Sequence, residues 1–215
     1  MIVVAIMVAL LAVVLLAVVL IADRFAVMYA QNRLARRIQD RGFSGKPHVT
    51  IAGFPFLTQV AARRLNNVMI RAAGKKLGPL EVRHLDLTLH GLRGSGHGRT
   101  ASQLSGTALI GFAGLAGMTG MPGLTLAADG PDRVKITVGR RVTGTATARV
   151  TRAGSGGIRI AVISAGSIPI ALLASLRDTI VPLPALPLGM RIMGVSVTGQ
   201  GVLVHIAGQN VSFGN

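Results

Sequence analysis

Three side chains stand closer to a catalytic arrangement than any others in the chain. His84, Asp86 and His90 lie at even offsets, so an extended strand carries all three on one face. Two imidazoles and a carboxylate are metal-ligand types. The same pattern also describes the solvated face of a strand that buries Leu85, Leu87 and Leu89 on its other side, and this is the preferred reading. The other histidines, His48, His97 and His205, are scattered, and no H-E-x-x-H spacing occurs. Asp129 and Asp132 bracket Gly130-Pro131, which is turn chemistry rather than an acid–base pair. Gly94-Ser95-Gly96-His97-Gly98 lacks the G-x-x-x-x-G-K-[ST] pattern of a phosphate loop and reads as a hairpin tip. No G-x-S-x-G elbow is present. The chain has no Cys, which excludes disulfides, thiolate metal sites and cysteine nucleophiles. The expectation is a protein that is not an enzyme and uses neither metal nor cofactor.

The positive signals concern binding. Lys and Arg number 23 against 7 Asp and Glu, a formal net charge of +16. Such an excess calls for an anionic partner, either nucleic acid or an anionic membrane. One Tyr, six Phe and no Trp give little for bases to stack on, and no RNA-binding signature is visible. A membrane partner is expected, and no nucleic acid.

The N-terminus points the same way. Residues 1–22 contain no charged side chain. As a helix they rise about 33 Å, enough to cross a hydrocarbon core about 30 Å thick. An uncleaved transmembrane anchor is favoured over a signal peptide, because the apolar run is long and Leu20 is a poor residue before a cut after Ala22. Arg24, Arg33, Arg36, Arg37, Arg41 and Lys46 follow the run, and the positive-inside rule alone would keep that flank in the cytoplasm.

Residues 23–45 read as an amphipathic helix stopped by Gly42 and Gly45, and residues 46–215 as a β domain. Period-two patterns recur at Val49 and Ile51, Val68 and Ile70, Leu85 to Leu89, Val134 to Val138, Ile158 to Val162, Val195 and Val197, and Val202 to Ile206. Each run is short and bounded by turn residues, as in antiparallel hairpins. Pro55 to Leu65 and the Gly-rich Phe112 to Met121 interrupt the rhythm, and Ile170 to Ile180 has helical spacing. The three prolines of Val181 to Leu188 require an extended path.

About half the residues are hydrophobic, more than one apolar helix accounts for. Phe54, Phe56, Leu57, Val68, Ile70, Phe112, Leu115, Met118, Leu172, Leu173, Leu176, Leu186 and Leu188 could line or cap an apolar groove. They could equally fill the core of a sandwich or barrel, the commoner fate of such side chains. Arg63, Arg64, Arg71, Lys75 and Lys76 suit a phosphate head group at a groove rim, or else form a generally membrane-attracting surface.

Pro47 to Leu65, with its Gly53-Phe54-Pro55-Phe56-Leu57-Thr58-Gln59 core, together with Ala22-Asp23-Arg24 and the closing stretch Leu186 to Phe213, resembles the actinobacterial LmeA-like family of phospholipid-binding proteins. The resemblance implies an α+β fold akin to tubular lipid-binding domains, with a long helix packed in a highly curved antiparallel sheet around acyl chains. It implies an anionic phospholipid as partner and a place in the cell envelope. It also favours a single-pass protein whose body is extracytoplasmic, because long domains translocate largely regardless of flanking charge. The alternative is a basic β domain that packs its own core and acts as a structural or interaction module at an anionic surface.

Overall fold

The computed structural model describes residues 2–40, 42–77, 80–95, 98–119, 121, 123–139, 144–154, 156–167, 178–183 and 188–213. One helix, α1, runs unbroken from Ile2 to Gln39, so the charge-free run and the amphipathic stretch are a single rod. At about 1.5 Å per residue it is roughly 57 Å long. It is long and apolar enough to cross a membrane. Leu10, Leu11, Leu15, Leu16 and Val18 all lie exposed. Beyond Asp23 the helix changes character. Ala26, Val27, Ala30, Leu34, Ala35 and Ile38 turn toward the body while Arg33, Arg36 and Arg37 stay outside. The chain leaves the helix through Gly42, whose φ of 93° suits glycine.

The body is built from two antiparallel sheets. The larger has six strands in the order β1-β2-β3-β4-β11-β10: His48–Ala52, Arg64–Leu77, Leu80–Ser95, Gly98–Gly111, Gly201–Phe213 and Leu188–Thr198. Four of these strands have 14, 16, 14 and 13 residues, beyond the common range of roughly 3–10. Strands so long accumulate twist, and this sheet curls into a half-barrel. Register shifts at Val82/His84, Leu188/Met190 and Ile192/Gly194 add bends. The smaller sheet has the order β5-β6-β7-β8-β9: Leu124–Ala128, Arg133–Val138, Gly144–Ala153, Gly157–Ser164 and Asp178–Pro182. It joins the first through β10, where Arg152 Nη1 donates to the Ile192 carbonyl at 3.1 Å and the Val197 N–H donates to the Pro131 carbonyl at 2.7 Å.

The alternating patterns fall on strands with the expected faces. Val49, Ile51, Val134, Ile136, Ile158, Ile160, Val202 and Val204 are buried, and His84, Asp86 and His90 are exposed. Two short helices, α2 (Phe56–Ala61) and α3 (Phe112–Met118), occupy the first two interruptions. The third departs from expectation. Residues 168–177 lie outside the described residues, and Asp178–Pro182 is strand rather than the end of a helix. Thr179, Ile180 and Val181 are β-branched, and β8 offers a free edge that they complete, with Ile158 opposite Val181. Pro182 ends the strand at the sheet margin, where a missing N–H costs least.

The interior forms one continuous apolar cluster. Val68, Leu104, Leu115, Val134, Ile192 and Val211 are each at most 1 % exposed. Among the described residues the core is filled by the protein's own side chains, and the hollows described below lie at its margins.

Candidate functional site

The geometry begins with α2. Its residues divide by a spacing of three: Phe56 and Gln59 point inward, while Leu57 and Val60 face out. No side chain of its own loop caps it. The cap comes from α1, where Asp23 Oδ1 accepts the Leu57 N–H at 2.8 Å. Asp23 is 2 % exposed although it directly follows the charge-free run. Next to it, the Arg24 guanidinium lies 5.9 Å from the centre of the Phe54 ring. The Gln59 side chain closes the other end, its Oε1 accepting the Asn66 N–H at 3.0 Å. Gly53, at φ 114°, leaves room for this side chain, since a Cβ there would come within 2.6 Å of Gln59 Nε2.

Between α1, α2 and the edge of the large sheet opens a cavity of about 330 Å³. Apart from Gln59 its floor is apolar, made of Ala30, Leu34, Ile51, Phe56, Leu65 and Leu92, with the half-exposed Val60 at the outer lip. Its rim holds five arginines, Arg33, Arg37, Arg63, Arg64 and Arg99. Arg33 and Arg37 are one turn apart on α1, on the side that also carries Ala30 and Leu34. Arg63 follows α2 and its carbonyl accepts the Gly94 N–H at 3.1 Å, pinning the α2–β2 junction to β3. Strand register supplies the rest: Arg64 lies opposite Arg93, and Gly94 lies opposite Arg99. None of the five rim guanidiniums is in an ion pair among the described residues. The hollow therefore joins an apolar floor to a rim of five guanidiniums, a group that stays charged at any physiological pH.

Of the residues singled out in the sequence, the cavity brings together Phe56, Arg63 and Arg64. Phe54 and Leu57 stand outside it on the exposed side of α2. Val68 and Leu115 are sealed in the core. Phe112 and Met118 are half-buried on α3, beside a second apolar cavity of about 420 Å³ lined by Ala113, Ala116, Met121 and Leu124. Ile70 and Arg71 line a third space of about 470 Å³ on the sheet surface, where Arg71 pairs with Asp86 at 3.4 Å. That pair engages the one carboxylate of the His84–Asp86–His90 run, and no metal-binding cluster occurs among the described residues. Lys75 Nζ sits 4.9 Å from the Phe43 ring centre. Leu172, Leu173, Leu176 and Leu186 lie outside the described residues, as do the side chains of Lys76 and Leu188. The sequence reading missed Arg33, Arg37 and Arg99. The first two had a legible signal, a basic pair at i, i+4 beside the small-apolar pair Ala30 and Leu34. Arg99 had none, because only the β3–β4 register delivers it.

A curled antiparallel β body, an apolar N-terminal helix long enough to cross a membrane and an arginine-rimmed apolar cavity are consistent with a lipid-binding protein. The family comparison agrees: the model of the LmeA-like phospholipid-binding family matches residues 21–207. The chain belongs to that family. No match was found among curated proteins or among solved structures.

Proposed function

We propose that this chain is a membrane-anchored protein of the cell envelope that holds an anionic phospholipid by its head and part of one acyl chain. The observation that carries the reading is the union of an apolar floor with a rim of five arginines in one cavity. Apolar burial contributes about 0.8 kcal/mol per CH₂ taken from water. The phosphate would sit among Arg33, Arg37, Arg63, Arg64 and Arg99, where guanidinium forks match its oxygens in pairs. The reading assigns the protein no chemical step. Its task is to present or shuttle the lipid, in support of envelope glycolipid assembly. The body is extracytoplasmic, with residues 2–22 of α1 in the membrane. Apolar residues beyond this cavity, from α3 and from 168–188, belong to the same proposal as a continuation of the acyl path.

Native mass spectrometry of the gently purified full chain tests the binding. An adduct of phospholipid mass, enriched in anionic species by extraction, is the expected result, and a protein that never carries lipid overturns the reading. A C-terminal alkaline phosphatase fusion tests the topology. Well-expressed fusions without phosphatase activity would place the body in the cytoplasm. The continuous apolar cluster of the described residues supports a second reading, a structural module that recruits partners at anionic surfaces. Association with anionic liposomes without extractable bound lipid would support it.

A further inference from the structure

The exposed side of α2 and the residue before its cap carry Phe54, Leu57 and Val60, which are 57 %, 42 % and 49 % exposed. Three apolar side chains on a two-turn segment need a reason to face water. Their place along α1 supplies one. The Asp23–Leu57 hydrogen bond and the Arg24–Phe54 stack fix the start of α2 at the first two charged residues after the charge-free run. On α1 itself the following turns present Phe25, Met28 and Tyr29, which are 66 %, 53 % and 67 % exposed. If residues 2–22 cross the bilayer, Phe25, Met28 and Tyr29 fall within about 10 Å of rise from the hydrocarbon edge, the depth of the head-group layer, and the contacts of Asp23 with Leu57 and of Arg24 with Phe54 hold the start of α2 beside them. Tyr, here Tyr29, is enriched at that depth.

We propose that α2 is a membrane-interface wedge: Phe54, Leu57 and Val60 enter the head-group layer of the anchoring bilayer and hold the mouth of the arginine-rimmed cavity against it. This rests on the lipid-binding reading and adds where the lipid enters. Two observations support the bilayer as occupant. The patch is continuous with the apolar helix, and the rim arginines of α1, Arg33 and Arg37, stand about 16 and 22 Å of rise beyond residue 22, just outside the head-group layer, where an anionic leaflet still attracts basic side chains. Cavity size fits as well. About 330 Å³ lies at the low end of the roughly 300–1,000 Å³ that encloses drug-sized ligands, so a two-chain lipid leaves part of itself outside. A mouth pressed to the leaflet lets that part stay in hydrocarbon.

The chain has no Cys, so one introduced thiol carries one spin label. The full chain is reconstituted in nanodiscs of phosphatidylglycerol and phosphatidylcholine, labelled at Leu57→Cys or, as a second position on the wedge, Phe54→Cys. Val18→Cys in the apolar run and Thr151→Cys on the exposed face of β7 are the references. The expected result is that the ratio of oxygen to nickel-chelate accessibility at residue 57 exceeds that at residue 151 several-fold, approaching residue 18. A label at 57 as water-accessible as at 151 overturns the proposal. So does a label shielded from both probes, which would mean that protein covers the patch, either a second copy or a partner. A residue 18 label in water removes the anchor and the wedge with it. Native mass spectrometry of the gently purified full chain before reconstitution separates the two readings: carried lipid with an aqueous residue 57 sinks only the wedge, and a membrane-inserted residue 57 without carried lipid sinks only the lipid site.

Discussion

The Asp23 carboxylate and the Leu57 amide, 34 residues apart, are joined by a 2.8 Å hydrogen bond. This one contact couples α1 to α2 and so ties the apolar helix to the cavity wall. The two stretches that carried the family resemblance, Ala22-Asp23-Arg24 and Gly53 to Gln59, therefore meet in space. Asp23→Ala leaves the Leu57 N–H without its acceptor and should destabilise the body by about 1–2 kcal/mol, the usual loss for a helix cap. Asp23→Asn keeps a carbonyl oxygen in place and should lose less. Denaturant unfolding of the detergent-solubilised chain, followed by circular dichroism, checks both. Equal midpoints for Asp23→Ala and the parent would show that the contact is idle.

Ala30 lines the cavity floor from α1. A phenyl ring at this position takes up volume that the proposed acyl segment needs, while the open side of the cavity spares the core from overpacking. Ala30→Phe should reduce co-purified lipid at least about tenfold, equivalent to 1.4 kcal/mol, with little change in unfolding midpoint. Lipid per protein by mass spectrometry is the measurement. Thr151→Phe, far from the cavity on β7, should carry the parental amount.

How far the sequence revealed this arrangement depended on the kind of contact. Where strands bury one face, as at Val134, Ile136 and Val138 or Val202, Val204 and Ile206, alternation announced them directly. Strand β4 was silent although it is central. Its buried Ala101, Leu104 and Ala108 do not keep a period of two, so no alternation marked it. Strand β9 was misread because Ile180 also fits helical spacing, and only the open edge of β8 decides between the two. At the site, Phe56, Arg63 and Arg64 were visible because they are contiguous with a recognisable motif. Asp23's role was not, because a cap donated from another helix leaves no local pattern. The cavity itself depends on register and on the packing of α1, which no short window of sequence contains.

The rim should govern lipid choice. Each basic side chain near an anionic lipid surface contributes about 1 kcal/mol. Arg33→Gln combined with Arg37→Gln should therefore weaken the preference for phosphatidylglycerol over phosphatidylcholine by about 2 kcal/mol, a shift of roughly 30-fold in the ratio of carried lipids. Competition between the two lipids in mixed micelles, read by mass spectrometry, checks this. The same double change made at Arg133 and Arg149, both paired with Asp132 on the small sheet, should leave the ratio unaltered.

Arg63 separates stability from function. Its φ is 50°, in the left-handed region, where it ends α2 in a position that glycine usually takes. A residue with a Cβ loses about 1–2 kcal/mol there, whereas glycine avoids that strain but gives back about 0.5–1 kcal/mol of extra chain entropy on folding. Arg63→Gly should therefore raise stability by up to about 1.5 kcal/mol. It also removes one of the five rim cations, so carried anionic lipid should fall even as the unfolding midpoint rises. Movement of the two readouts in opposite directions is what a strained binding residue requires. If both fall together, Arg63 supports the fold through contacts that glycine cannot replace, and its place in the head-group site loses its basis.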